Sequence, residues 1–227
     1  MAHLIPHLSE DDLIALDVKA GDVTDMLEQL IKGAKADRVW SAPKAVITTP
    51  DGRYIMATLA TMDIVEGDMK EAGIKNTGQN ASSGPSSFVA TKSLVLNAKN
   101  SDIGLPQINS LVTLLNGHTG LPLAIMDGNW VTAIRTAGLS ALAAKYMAKP
   151  DAKSVGFIGT GVQARSHLKL FSEMFPLESV KIFGRGQKNI DLLSKEAKKF
   201  GLAVEICAEP CCDFNDPYIG QRTVFGC

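Results

Sequence analysis

The run Ser154-Val-Gly-Phe-Ile158, followed at once by Gly159-Thr-Gly161-Val-Gln-Ala164, constrains this chain more than any other stretch. Its first part is short, apolar and rich in β-branched and aromatic residues, which is the composition of a buried parallel strand. The residues from Arg165 to Met174 then open as a helix. A G-x-G-x-x-G/A run set between strand and helix is the dinucleotide fingerprint. Gly159 permits the tight turn, Gly161 lets backbone N–H groups approach a pyrophosphate, and Ala164 lets helix and strand pack closely. Thr160, Val162 and Gln163 complete the turn, and the phosphate would rest on the positive end of the helix. The fold class expected is α/β.

A chain of 227 residues, 45% hydrophobic and 21% charged, is long enough for one large or two modest domains. Its net charge of −1 gives no reason to expect nucleic acid or an anionic membrane as partner. No apolar run reaches membrane-spanning length, and no secretory leader pattern is visible, so a cytoplasmic protein is expected. All four cysteines (Cys207, Cys211, Cys212 and Cys227) fall at the end of the chain. They form neither a disulfide framework nor two separated C-x-x-C pairs, so no metal site is expected.

Ahead of the fingerprint the pattern is α+β. Ser9-Glu-Asp-Asp12 reads as a capping box, and Val23 to Lys35 as an amphipathic helix. Ala45–Thr48 and Tyr54–Thr58 read as a hairpin across Thr49-Pro-Asp-Gly52, where Pro fixes φ and Gly allows the left-handed position. Residues 76–87 read as a polar loop and Phe88–Leu96 as a strand carrying Lys92. A second hairpin is expected at Asn116-Gly117, with strands at Ile108–Leu115 and Leu121–Asp127. Thr132–Ala148 is the clearest helix, and Thr132, Thr136, Ser140, Ala144 and Ala148 suggest a ridge of small side chains for close packing. Arg135 and Thr136 would stand in its first turn, where a cation opposes the helix dipole and so points to a bound anion or an ion pair.

Beyond the fingerprint, Ser179–Phe183, Ile190–Phe200 and Val204–Ile206 read as strand, helix and strand, with Gly201 as C-cap. An NAD site places an acid at the end of the second strand, whereas NADP sites use a nearby Arg. Phe183-Gly-Arg185-Gly has no acid, and with Lys188 behind it Arg185 favours NADP(H) over NAD(H).

Trp130-Val-Thr-Ala-Ile-Arg-Thr-Ala-Gly-Leu-Ser-Ala-Leu-Ala-Ala-Lys-Tyr146 together with Gly159-Thr-Gly-Val-Gln-Ala164 resembles the ornithine cyclodeaminase/mu-crystallin family. Lys92…Asn97…Gly104-Leu-Pro106 and Thr119-Gly-Leu-Pro122 add to the likeness, which extends over roughly residues 10 to 206. The resemblance implies a homodimer in which a substrate-binding and dimerisation domain (1–131) precedes a Rossmann domain (132–206). It implies NAD(P)-dependent chemistry on an amino acid or its imine: ketimine reductase, amino-acid dehydrogenase or ornithine cyclodeaminase. Lys92 matches the lysine that contacts the substrate and assists proton transfer. Lys44 stands where many members carry a carboxylate-binding Arg, and a lysine gives a point charge where Arg gives a fork. Gln107 replaces the Thr that ornithine cyclodeaminases carry after Gly-Leu-Pro. Arg135 and Thr136 match residues that hold cofactor phosphate.

Residues 207–227 resemble nothing in that family. A βαβ unit takes roughly 30 residues, so the chain from Ser154 onward has room for two to three strands of the nucleotide sheet. The expectation is a partial Rossmann domain followed by an atypical Cys-rich tail, as in a truncated or altered product. Asp213 and Asp216 are assigned no role. Three readings of function follow: an NADP-linked enzyme of this family, a mu-crystallin-like binding protein with little turnover, or an inactive fragment.

Overall fold

A computed structural model describes residues 4–64, 86–209 and 222–226, the last as backbone. The chain divides into two compact units: Met1–Val18 with Glu28–Thr132, and Lys19–Leu27 with Ala133–Cys227. The polar segment 76–85 and the tail residues Cys211, Cys212, Asp213, Asp216 and Cys227 lie outside the described residues.

The first unit is built on a seven-stranded sheet. Its strands are β1 (His7–Leu8), β2 (Val39–Ser41), β3 (Ala45–Thr48), β4 (Tyr54–Ile64), β5 (Ser86–Leu96), β6 (Ile108–Asn116) and β7 (Pro122–Asp127). They run in the order β1-β7-β6-β5-β4-β2, with β3 also on β4. Every pairing is antiparallel except that of β1 with β7. Helix α1 (Glu10–Ala15) starts with the capping box expected at Ser9 and Asp12. Helix α2 (Ala20–Lys35) begins one turn earlier than its apolar period suggests.

The β3–β4 turn forms as its chemistry dictates. Gly52 takes φ 86°, and its N–H donates to the Thr49 carbonyl at 2.9 Å. The Thr49 hydroxyl and then Arg53 donate to Asp51, holding its carboxyl down at about 2. The second hairpin departs from expectation. A two-residue turn at Asn116-Gly117 needs positive φ at both positions. Here the positive φ belongs to Gly120 (72°), and the loop runs from Gly117 to Leu121. The Asn116 side chain organises it, accepting from the N–H groups of His118 and Thr119 at 3.0 and 2.9 Å.

The second unit carries β8 (Ser154–Ile158), β9 (Ser179–Phe183), β10 (Ala203–Ile206) and β11 (Arg222–Gly226), all parallel. Their order is β10-β9-β8-β11, the 3-2-1-4 arrangement of a doubly wound sheet. Four strands stand where two to three were expected. The terminal segment supplies the fourth, because the open edge of β8 offers backbone partners that its own sequence does not advertise.

The helices of this unit are the first half of α2 (Ala20–Leu27), α3 (Gly128–Met147), whose residues from Ala133 onward belong to it, α4 (Val162–Met174) and α5 (Gln187–Lys199). Phe157, Val180, Ile182, Leu168, Phe171 and Leu193 fill the core at 2% exposure or less. Gly201 ends α5 as expected, at φ 75° with its N–H on the Lys198 carbonyl.

Two expectations about α3 need correction. It starts at Gly128, where Asp127 closes β7 and accepts from the Trp130 N–H at 2.6 Å. Arg135 therefore stands about two turns in, outside the reach of the dipole argument. The buried ridge is Ala137, Ala141 and Ala144, so of the Thr132-to-Ala148 series only Ala144 is fully buried, with Ala148 packed against the core. Steps of four residues overrun each helical turn, so that series sweeps about 160° round the helix. At Gly138 on the buried side, a Cβ would lie 2.4 Å from Val23 Cγ1 and 2.7 Å from Leu27 Cδ1.

Candidate functional site

In the second unit, β8 ends at the fingerprint turn. Gly159 takes φ 103°, a conformation closed to ordinary side chains, and its N–H donates to the Phe183 carbonyl at 2.8 Å. Gly161 is the N-cap of α4 and makes no side-chain cap bond; a Cβ there would meet nothing within 4 Å. The helix opens at Val162, not Arg165, so Val162 and Gln163 lie in its first turn. Open space above Gly161 and uncapped N–H groups are what an incoming phosphate requires.

Thr160 is buried, while Gln163 is half-buried with its Oε1 enclosed and lacking a hydrogen-bond partner. Because β9 and β11 flank β8 on opposite sides, the turn sits at the sheet's switch point, where open α/β sheets bind ligands. These residues fit a dinucleotide.

Around the turn, Gly184 leaves β9 so close to Thr160 that a Cβ would lie 2.7 Å from its Cγ2. Arg185 is exposed, followed by Gly186, the N-cap of α5, again without a side-chain cap. On α3, Arg135 is exposed and Thr136 half-buried. One turn further on, the Ser140 hydroxyl meets Nε2 of buried His167 at 2.9 Å, and His167 Nδ1 meets the Gln163 carbonyl at 2.7 Å. The imidazole thus ties the nucleotide turn to the helix bearing Arg135 and Thr136. Burial holds its pKa below the usual value of 6.5, against the pull of the Gln163 carbonyl. Sequence reading passed His167 over, since it shows there only as one more polar residue of a helix.

In the first unit, Lys92 lies on β5 between Thr58 of β4 and Val112 of β6. Leu94, Val112 and Ala124 on its face are buried, whereas Leu59, Val95 and Leu111 on the other are 40–47% exposed. Lys92 is half-buried, and its Nζ donates to Thr132 Oγ1 at 2.9 Å. Thr132 in turn donates to the Gly128 carbonyl at 2.6 Å. Lys44 is exposed immediately before β3, whose first residue Ala45 pairs with Ala57, next to Thr58.

Gln107 is not brought to Lys92. It lies beyond the Leu96–Ile108 pair at the far end of the β5–β6 ladder, its amide on Ala98 O and Ser101 Oγ at 3.5 Å. On the exposed face, Ala57, Leu59, Thr91 and Leu111 help to line a cavity of about 270 Å³. Among the described residues no group of His, Cys, Asp or Glu could hold a metal ion. No described helix is long and apolar enough to cross a membrane.

The parallel sheet with its glycine turn makes this an α/β protein of Rossmann type. Solved structures share the fold: the Δ1-pyrroline-2-carboxylate reductase of Thermococcus litoralis, in complex with NADH and L-proline, superposes with TM-score 0.73 at 26% identity, over 89% of this chain and 57% of that one. An archaeal alanine dehydrogenase dimer with bound NAD gives 0.72 at 22% identity, over 89% and 56%. The family model of the ornithine cyclodeaminase/mu-crystallin family matches residues 77–214, and the chain belongs to that family. Alanine dehydrogenase of Archaeoglobus fulgidus is 39% identical over 101 residues, 44% of this chain and 29% of that protein. Ketimine reductase mu-crystallin of Rattus norvegicus is 31% identical over 136 residues, 60% of this chain and 41% of that protein. The chain thus spans less than half the length of these curated relatives.

Proposed function

We propose that the chain is an NAD(P)-dependent oxidoreductase acting on an amino acid or its imine, with NADP(H) preferred. The observation that carries the reading is the uncapped Gly159–Gln163 turn at the switch point of the parallel sheet. Gly159, Thr160, Gly161, Val162 and Gln163 hold the pyrophosphate, with Arg135 and Thr136 as further phosphate ligands. Arg185, on a corner with no acid, takes a 2′-phosphate. When bound, the reduced nicotinamide supplies hydride to the imine carbon. Lys92 gives a proton to the substrate nitrogen as the C=N bond becomes C–N. Lys44 offers its charge to the carboxylate, whereas Gln107, at the far end of the β5–β6 ladder, takes no part in this reading.

The half-exposed face of the first sheet, with Leu59, Val95 and Leu111, supports a homodimer. Sedimentation at micromolar concentration tests it, and a monomer there would remove that part of the proposal. A cytoplasmic location belongs to the same reading. Two alternatives stand beside it: a mu-crystallin-like protein that binds cofactor with little turnover, and an inactive fragment.

Thermal unfolding with NADPH and with NADH separates these readings. A nucleotide at a hundred times its dissociation constant adds about 2.7 kcal/mol, and the melting temperature rises by several degrees. A larger rise with NADPH, lost in Arg185→Ala, is the expected result. Oxidation of NADPH by cyclic 2-imino acids then distinguishes enzyme from binder, with Lys92→Ala expected to lose at least a hundredfold in turnover, the usual scale of general acid catalysis. No rise with either nucleotide would leave the fragment reading.

A further inference from the structure

We propose that Thr132 is a positioning residue for Lys92, aiming its ammonium by taking one N–H into a fixed chain that ends on the Gly128 carbonyl. The inference rests on the proton-transfer role proposed for Lys92. Thr132 Oγ1 lies 2.6 Å from Gly128 O and 2.9 Å from Lys92 Nζ. A carbonyl only accepts and a hydroxyl carries one proton, so that proton lies on Gly128 O. Thr132 is thereby left to accept from Lys92, and the direction of the chain is set. A threonine bonded back to the carbonyl four residues earlier is common in helices and needs no further role. An ammonium seated on the same oxygen is the additional observation.

The fold places this pair deliberately close. Lys92, Val112 and Met126 form one row across β5, β6 and β7. One residue past Met126, Asp127 both closes β7 and caps α3, so helix follows strand without a loop. Thr132 thus lies one turn into the helix and within reach of the same row. Lys92 is also the one charged residue among the paired positions on its face of β3–β7. A strand lysine on such a face ordinarily snorkels to water, with more rotamer freedom than almost any other side chain. Here its Nζ is instead fixed on Thr132.

Competitive acetylation of the full chain by acetic anhydride tests this without cofactor or turnover. The rate at Lys92, read by mass spectrometry against the exposed lysines, is followed across pH for the wild type and for T132V, T132A and T132S. An accepted N–H favours the ammonium form. T132V and T132A are therefore expected to move the Lys92 profile to lower pH by about one unit, and T132S to restore it. Profiles of T132V and T132A that superpose on the wild type, or a T132S profile displaced as far as T132V, would overturn the proposal. Turnover that survives Lys92→Ala would instead remove the role of Lys92 itself, whatever the labelling shows.

Discussion

Burying an imidazole between two helices makes stability depend on pH with a definite sign. His167 is 4% exposed, and its Nδ1 sits 2.7 Å from a carbonyl that only accepts, so the neutral ring carries its proton on Nδ1. Burial lowers its pKa in the folded state, and the unfolded chain then binds more protons just below the ordinary value of 6.5. Stability is full above that pH and lost as pH falls through it, by up to about 1.4 kcal/mol per pH unit until the folded-state value is reached. His167→Gln cannot take up the proton. Denaturant melts at about pH 7.5 and 5.5 should show the wild type losing more stability than the variant. Equal losses in both would mean that the ring titrates as it does in water. Such a residue is hard to read from sequence, because its importance lies in Ser140, 27 positions away. Lys92 was found through the family likeness alone; nothing in its own strand pattern separates it from a solvated lysine, and Thr132 showed there only as a small residue on a helix.

At the scale of elements, the corner between β9 and α5 is packed directly against the fingerprint turn. A Cβ at Gly184 would lie 2.7 Å from Thr160 Cγ2 and 2.8 Å from its Oγ1, and a buried β-branched residue has no spare rotamer to yield. Gly184→Ala should therefore cost about 1–3 kcal/mol by urea melting, the usual penalty of overpacking. It should also shrink the thermal shift given by NADPH, since Thr160 must move within the phosphate turn. Gly186→Ala, with open space at its Cβ, should do neither.

The elements that sequence placed well are those whose local and global preferences agree. Ser154–Ile158 and Ser179–Phe183 are apolar runs bounded by turn residues, and both are strands over those residues. The misplacements share one cause, a boundary set by contacts rather than by composition. The helical pattern is clearest from Thr132, yet Asp127 caps the helix so that it starts at Gly128. Asn116-Gly117 looks like a two-residue turn, yet the Asn116 side chain organises a five-residue loop ending at Leu121.

For the molecule as a whole, the decisive question is whether the nucleotide sheet is closed on the β11 side. Residues 222–226 lie parallel to β8 in register from Arg222 with Ser154 to Gly226 with Ile158. That seat makes β8 a central strand and creates the switch point at which the dinucleotide is proposed to bind. Without it, β8 is an edge with unpaired backbone groups beside the phosphate turn. Amide exchange can tell the two apart residue by residue, because successive amides of a strand point to opposite neighbours. The Gly159 N–H donates to Phe183 on the β9 side, so by alternation Val155 and Phe157 also face β9, and Gly156 and Ile158 face β11. In a parallel ladder the residues of β11 that bond to β8 are those flanking Val224, so the Phe225 N–H faces β8 beside Gly156 and Phe225→Pro removes that ladder donor. The expected result is a loss of protection of at least tenfold at Gly156 and Ile158, with Val155 and Phe157 unchanged and a smaller thermal shift from NADPH. If Gly156 and Ile158 already exchange freely in the unaltered chain, β11 does not hold that edge. The proposed cofactor site would then have to stand on the turn and α4 alone.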